Sequence, residues 1–141
     1  MKANELMIGD IVSHNGIPVK IEVIAGMYSY VVPVKDNLGY LNKGFEVDND
    51  ELTPIPITPD ILGKNDFLHF HPENRKAEYW QIYIKGGDIN VKITYGHFRF
   101  RIYGKPLKDG AFRPSFNGHL CYVHELQNVL RLCGIEREII L

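Results

Sequence analysis

Between Ile8 and Ile57, apolar and polar positions alternate in short runs separated by turn residues. Asp10 to His14 is one such run, and Asn15-Gly16 closes it. Asn and Gly tolerate the positive φ angles of a type I′ turn, so a tight hairpin is predicted there. The return strand covers Ile17 to Ala25, with Val19, Ile21 and Val23 on one face and Lys20 and Glu22 on the other. A period of two marks a half-buried strand. Further strands are predicted over Tyr28 to Lys35, Tyr40 to Val47 and, after an acidic turn, Leu52 to Ile57. Five short strands leave too little chain for a sandwich, and a small, strongly bent SH3-like β-barrel closes their edges instead.

Pro54, Pro56 and Pro59 stiffen the exit from this segment. Thr58 is placed to cap a short helix over Pro59 to Lys64, with proline at a first position where its missing N–H costs nothing. Alternation then resumes. Trp80, Ile82 and Ile84 share one face of Tyr79–Lys85; Ile89, Val91, Ile93 and Tyr95 one face of the next run; Phe98, Phe100 and Ile102 one face of His97–Tyr103. Gly86-Gly87-Asp88 and Gly96 separate these runs, which predicts a three-stranded antiparallel meander. Lys105 to Gly118 contains Pro and Gly and reads as a loop. In Tyr122 to Cys133 the apolar positions Val123, Leu126, Leu130 and Cys133 recur at spacings of three and four, with Gly134 as the stop. That spacing is an amphipathic helix, expected to cover the inward face of the meander. The expected class is therefore α+β, with a barrel module over residues 1–57 and an α+β module over 58–141 that can share one core.

Composition fits this picture. Of the 141 residues, 45% are hydrophobic and 23% charged, near the globular average, so a packed core is expected. A net charge of −1 gives no support for non-specific binding to nucleic acid or to an acidic membrane. The charge is unevenly spread. Residues 1–57 carry four Lys/Arg against eight Asp/Glu, and residues 58–141 twelve against nine. The two parts therefore present different faces to a partner, one mildly acidic and one mildly basic. Two cysteines, Cys121 and Cys133, lie in or beside apolar segments, where a reduced thiol behaves as a small hydrophobe. No run approaches the about 20 apolar residues of a membrane span, and the charged start does not read as a signal peptide. The expected compartment is the cytoplasm, with no membrane partner.

Three blocks carry a resemblance. Met1-Lys2-Ala3-Asn4-Glu5-Leu6 with Ile8-Gly9-Asp10, then Pro54-Ile55-Pro56-Ile57-Thr58-Pro59-Asp60-Ile61-Leu62, then Tyr122-Val123-His124-Glu125-Leu126-Gln127-Asn128 with Leu130-Arg131-Leu132-Cys133-Gly134 resemble a family of short proteins without assigned activity. Bacteroidetes bacteria encode that family, often on phages and mobile elements. The resemblance implies a small accessory protein and carries over no catalytic residue. Between about Phe67 and Phe116 no block of that family is recognised.

Candidate chemistry is sparse. His124-Glu125-Leu126-Gln127-Asn128 has the first half of a zinc-protease helix, but Asn128 stands where the second imidazole is needed. His69 and His71 flank Phe70 and project to one side of an extended segment. Together with His119, Cys121 and His124 they make a mixed candidate metal set, and His69, His71, His119 and His124 with the acidic turn are the basis for an alternative reading as a metal-dependent hydrolase or nuclease. Asp48-Asn49-Asp50-Glu51 lacks calcium-loop spacing and reads as a solvated turn. No nucleophile elbow, phosphate-binding glycine loop or cofactor motif occurs. Enzymatic function is not supported, and no cofactor is expected.

The outward face of the meander displays Lys92, Arg99 and Arg101 among Tyr83 and Tyr103. Basic side chains interleaved with aromatic rings can neutralise phosphates and stack bases. The expected function is a non-enzymatic binding or adaptor protein, whose partner is a protein or a single-stranded nucleic acid.

Overall fold

The computed structural model describes residues 1–34, 43–71, 73, 78–83, 90–94, 99–103, 114–135 and 137–141. At Tyr83, Asn90, Arg99, Ile102, Tyr103 and residues 114–117 it describes the backbone alone. The chain is α+β and mostly strand, and it divides into two units. One comprises Met1–Pro56 with Tyr122–Asn128; the other comprises Ile57–Cys121 with Val129–Leu141.

The first unit is a curled half-barrel of five antiparallel strands: β1 (Ile11–His14), β2 (Ile17–Ala25), β3 (Tyr28–Pro33), β4 (Phe45–Asp48) and β5 (Leu52–Thr53), in the order β4-β3-β2-β1-β5. The hairpin at Asn15-Gly16 forms as its residues dictate. Both have positive φ, 50° and 79°, and His14 pairs with Ile17 across the two-residue turn. The core holds Leu6, Val12, Val19, Ile21, Val31, Val47 and Leu52.

One expected inward residue is not there. Val23 is 50% exposed, and Ile24 packs against the core in its stead. The β2–β3 register slips between Ile21 and Val23, so Glu22 is an extra residue that inverts the alternation beyond it. Such a bulge also sharpens the bend of the strand, which curls the sheet.

The acidic turn is a 3-10 turn, Asn49–Glu51, in which Asp48 Oδ1 accepts a hydrogen bond from the Asp50 amide. It is less solvated than its composition implies. Asn49 is buried: its Oδ1 accepts from Ser29 Oγ at 2.6 Å and its Nδ2 donates to the Gly26 carbonyl at 3.0 Å. The Met1 nitrogen donates to the carbonyls of Asn49 and Leu52, which ties the start of the chain to the same turn.

The second unit begins at α1 (Pro59–Lys64), where Thr58 Oγ1 accepts from the Ile61 amide at 3.2 Å and Pro59 opens the helix. Its sheet has five strands rather than three: β6 (Leu68–Phe70), β7 (Tyr79–Tyr83), β8 (Asn90–Thr94), β9 (Arg99–Tyr103) and β10 (Pro114–His119), in the order β10-β9-β8-β7-β6. The ladders are antiparallel throughout. The segment read as a loop thus ends in a strand. The Gly86-Gly87-Asp88 turn, Gly96 and Lys105–Arg113 lie outside the described residues. Ile82, Val91, Ile93 and Phe100 are buried on one side of the sheet. Asn65 is fully buried and holds the chain's last residues: its Nδ2 donates to the Ile61 and Ile140 carbonyls, and its Oδ1 accepts from the Ile140 amide.

The final helix, α2 (Val123–Leu132), stops at Gly134, with the Ile135 amide returning to the Leu130 carbonyl at 2.9 Å. Its residues to Asn128 belong to the first unit and those from Val129 to the second. The cysteines are half-buried and form no disulfide with each other; burial pushes the Cys133 thiol above its ordinary pKa. Among the described residues no helix is long and apolar enough to cross a membrane.

Candidate functional site

Strand register decides which side chains of the second sheet meet. Directly paired residues project to the same side of an antiparallel ladder. One row runs Leu68, Gln81, Lys92, Arg101, Asn117, and its neighbour runs Phe70, Tyr79, Thr94, Arg99, His119. Both rows lie opposite the row of half-buried Trp80 and buried Ile93 and Phe100.

Lys92 and Arg101 are therefore direct cross-strand partners. Arg101 is exposed and Lys92 half-buried. Two like charges placed opposite each other destabilise a sheet. Part of that cost is offset by Tyr79, whose ring centroid lies 3.6 Å from Lys92 Nζ, an attraction of the cation to the ring face. Phe70 stacks on Tyr79 in turn, with centroids 5.0 Å apart and planes 11° from parallel. The result is a strip of two flat rings and two cations on one side of the sheet. Lys92 and Phe70 cover the two faces of the Tyr79 ring. An anion bound there would relieve the Lys92–Arg101 repulsion, and the face of Phe70 turned away from Tyr79 offers planar surface to a base.

Of the other residues expected on this face, Arg99 occupies the register position opposite Thr94, and Tyr83 and Tyr103 are both opposite Asn90. Their side chains lie outside the described residues. Among the described residues the aromatic surface comes from Phe70, with Tyr79 held between it and Lys92, and Phe70 enters only because β6 adds a strand to the sheet.

The four histidines are not gathered into one set. His69 and His71 stand together at the β6 edge, and His119 ends β10 at the opposite edge of the same sheet. The partner that joins the first two is Glu78, which the sequence reading did not single out. Glu78 Oε2 lies 3.3 Å from His69 Nε2, and Glu78 Oε1 lies 3.1 Å from His71 Nδ1. His124 belongs to the first unit and is buried, stacked on Tyr122 with centroids 5.9 Å apart. Its Nδ1 has no hydrogen-bond partner among the described residues. It lines a cleft of about 670 Å3 in the first unit with Glu5, Asp50, Tyr122, Glu125 and Asn128. The acidic turn and the zinc-protease half-motif thus meet there. Glu125, which in such a motif would activate water, accepts from the Tyr122 amide at 3.0 Å, as a residue of a helix's first turn does.

Set against known protein families, curated proteins and solved structures, the chain matches none of them.

Proposed function

We propose that this protein is a non-enzymatic binding protein that engages single-stranded nucleic acid through the Lys92–Arg101 face of its second sheet, in a phage or mobile-element background. The observation that carries the reading is the cross-strand placement of Lys92 beside Arg101, with Lys92 seated over the Tyr79 ring at 3.6 Å. A sheet that tolerates two adjacent cations next to stacked aromatic rings has the two components of a single-strand binder: positive charge for phosphates and a platform for bases. The excess of basic residues over residues 58–141 favours the same half of the chain. The origin rests on the resemblance of the three sequence blocks alone.

In this reading the curled first sheet is an SH3-like module that serves as the adaptor part. The end of α2, where Val129 and Leu130 are buried, covers the apolar side of the second sheet. The reading as a metal-dependent hydrolase or nuclease is weaker, because it needs His119 beside His69 and His71, and they stand at opposite edges of one sheet.

The test is a fluorescence-anisotropy titration of a labelled oligothymidylate at low salt. The native protein binds, and Phe70→Leu weakens binding by about 1–3 kcal/mol, the contribution of one aromatic platform to a stacked base. No binding at low salt, or binding indifferent to Phe70, contradicts the reading and leaves a protein partner for this face.

A further inference from the structure

The side of the β6–β7 hairpin opposite the Lys92–Arg101 face carries a second constellation. His69 pairs with Trp80 in the ladder. Continued by one step, the same register places His71 opposite Glu78, and alternation puts His69, His71, Glu78 and Trp80 on one side. The distances agree, since the Glu78 carboxylate reaches both imidazoles, one with each oxygen, at 3.3 Å and 3.1 Å. One donor atom from each of the three residues lies within 4.8 Å of the other two. Among the described residues no other group of histidine, cysteine and carboxylate side chains is arranged in this way.

We propose that His69, His71 and Glu78 bind one divalent transition-metal ion of the zinc, nickel or copper type. A tetrahedral ion with bonds of about 2.0–2.1 Å sets neighbouring donors about 3.3–3.4 Å apart. Each His–Glu contact, one to each carboxylate oxygen, is near that spacing, and side-chain rotation brings one donor from each residue, already within 4.8 Å of the others, to it. Two imidazoles and one carboxylate are donors of intermediate softness, which favours these ions over calcium or magnesium. The frame is partly fixed beforehand. The His69 ring lies flat on Trp80, centroids 4.5 Å apart and planes 14° from parallel, and both rings stand on laddered strands. All three ligands are exposed, so the ion keeps at least one position for water, as sites with three protein ligands do. The site needs neither His119 nor His124, and it stands or falls independently of nucleic-acid binding on the other face.

Trp80 is the chain's single tryptophan, and its contact with His69 makes it the reporter. Copper(II) or nickel(II) bound at His69 quenches its emission, while zinc(II) is silent and competes. The native protein should show quenching that saturates at one equivalent of copper(II), and prior addition of excess zinc(II) should raise the copper(II) midpoint, since copper(II) is the tighter binder. His71→Ala and Glu78→Gln should each shift the midpoint at least tenfold, because loss of an outer-shell partner alone costs about 10–100-fold in metal affinity. Both positions are exposed, so each variant should keep the native circular dichroism spectrum. His119→Ala should leave the midpoint unchanged. Quenching that does not saturate, or that keeps its midpoint in His71→Ala and Glu78→Gln, overturns the proposal.

Discussion

The side-chain amide of Gln127 closes both open backbone groups at the head of β1: its Oε1 accepts from the Ile11 amide at 2.7 Å, and its Nε2 donates to the Gly9 carbonyl at 3.1 Å. The two partners are separated by 116 residues, and the bond to Ile11 is buried. A buried donor stripped of its acceptor costs its desolvation in full, whereas an exposed one does not. Gln127→Leu keeps the size of the side chain and removes both bonds. It should destabilise the protein by about 2–4 kcal/mol in a urea melt. A midpoint equal to that of the native protein would show that water replaces the amide.

Asn49 and Asp50 are neighbours in one acidic turn, and the structure assigns them opposite weights. Asn49 is buried and bonded to Ser29 and Gly26, while Asp50 is exposed. Asn49→Ala should cost about 1–3 kcal/mol by leaving the Ser29 hydroxyl and the Gly26 carbonyl without that partner. Asp50→Ala should stay within about 0.5 kcal/mol of the native protein. Thermal or urea melts of the two variants side by side check the contrast; equal effects would refute it.

Gly118 of β10 lies opposite Phe100 of β9, and the buried Phe100 ring occupies the space a side chain would take. A Cβ at this glycine would stand 2.8 Å from Phe100 Cε1, closer than carbon atoms pack. Gly118→Ala should therefore destabilise by about 1–3 kcal/mol through overpacking. A stabilised variant, as expected if the glycine only loosened an edge strand, would contradict this account of the β9–β10 pair.

Local chemistry was legible in the sequence, and tertiary pairing was not. The Asn15-Gly16 turn, the Thr58 cap with Pro59, and the stop at Gly134 each follow from the conformational preferences of one or two residues. That Lys92 and Arg101 share a face follows from the period of two. The bulge at Glu22 left no local mark, so Val23 was expected inside. Strand β10 begins at a proline and contains Asn117 and Gly118; its identity comes from the ladder to β9, and an edge strand accepts proline at its first residue. Strand β6 has only three residues, too few for alternation to register. Glu78 reaches the histidines through the register of the β6–β7 hairpin, and Asn49 is buried by Ser29 and Gly26 far back in the chain. No reading of spacing contains either fact.

The central claim, that Lys92 and Arg101 together meet phosphates, is tested most directly by the salt dependence of oligonucleotide binding. Each cation that neutralises a phosphate on a single strand releases about 0.7 counterion, so log K falls with log salt in proportion to the number of contacts. Lys92→Gln combined with Arg101→Gln should weaken binding and flatten that slope by about 1.4 units. Removing the like-charge pair favours folding and losing the Lys92–Tyr79 contact opposes it, so folding stability should change by no more than about 1 kcal/mol. A slope that is the same in the native protein and the double variant would contradict the account, because the phosphates would then be met elsewhere on the molecule.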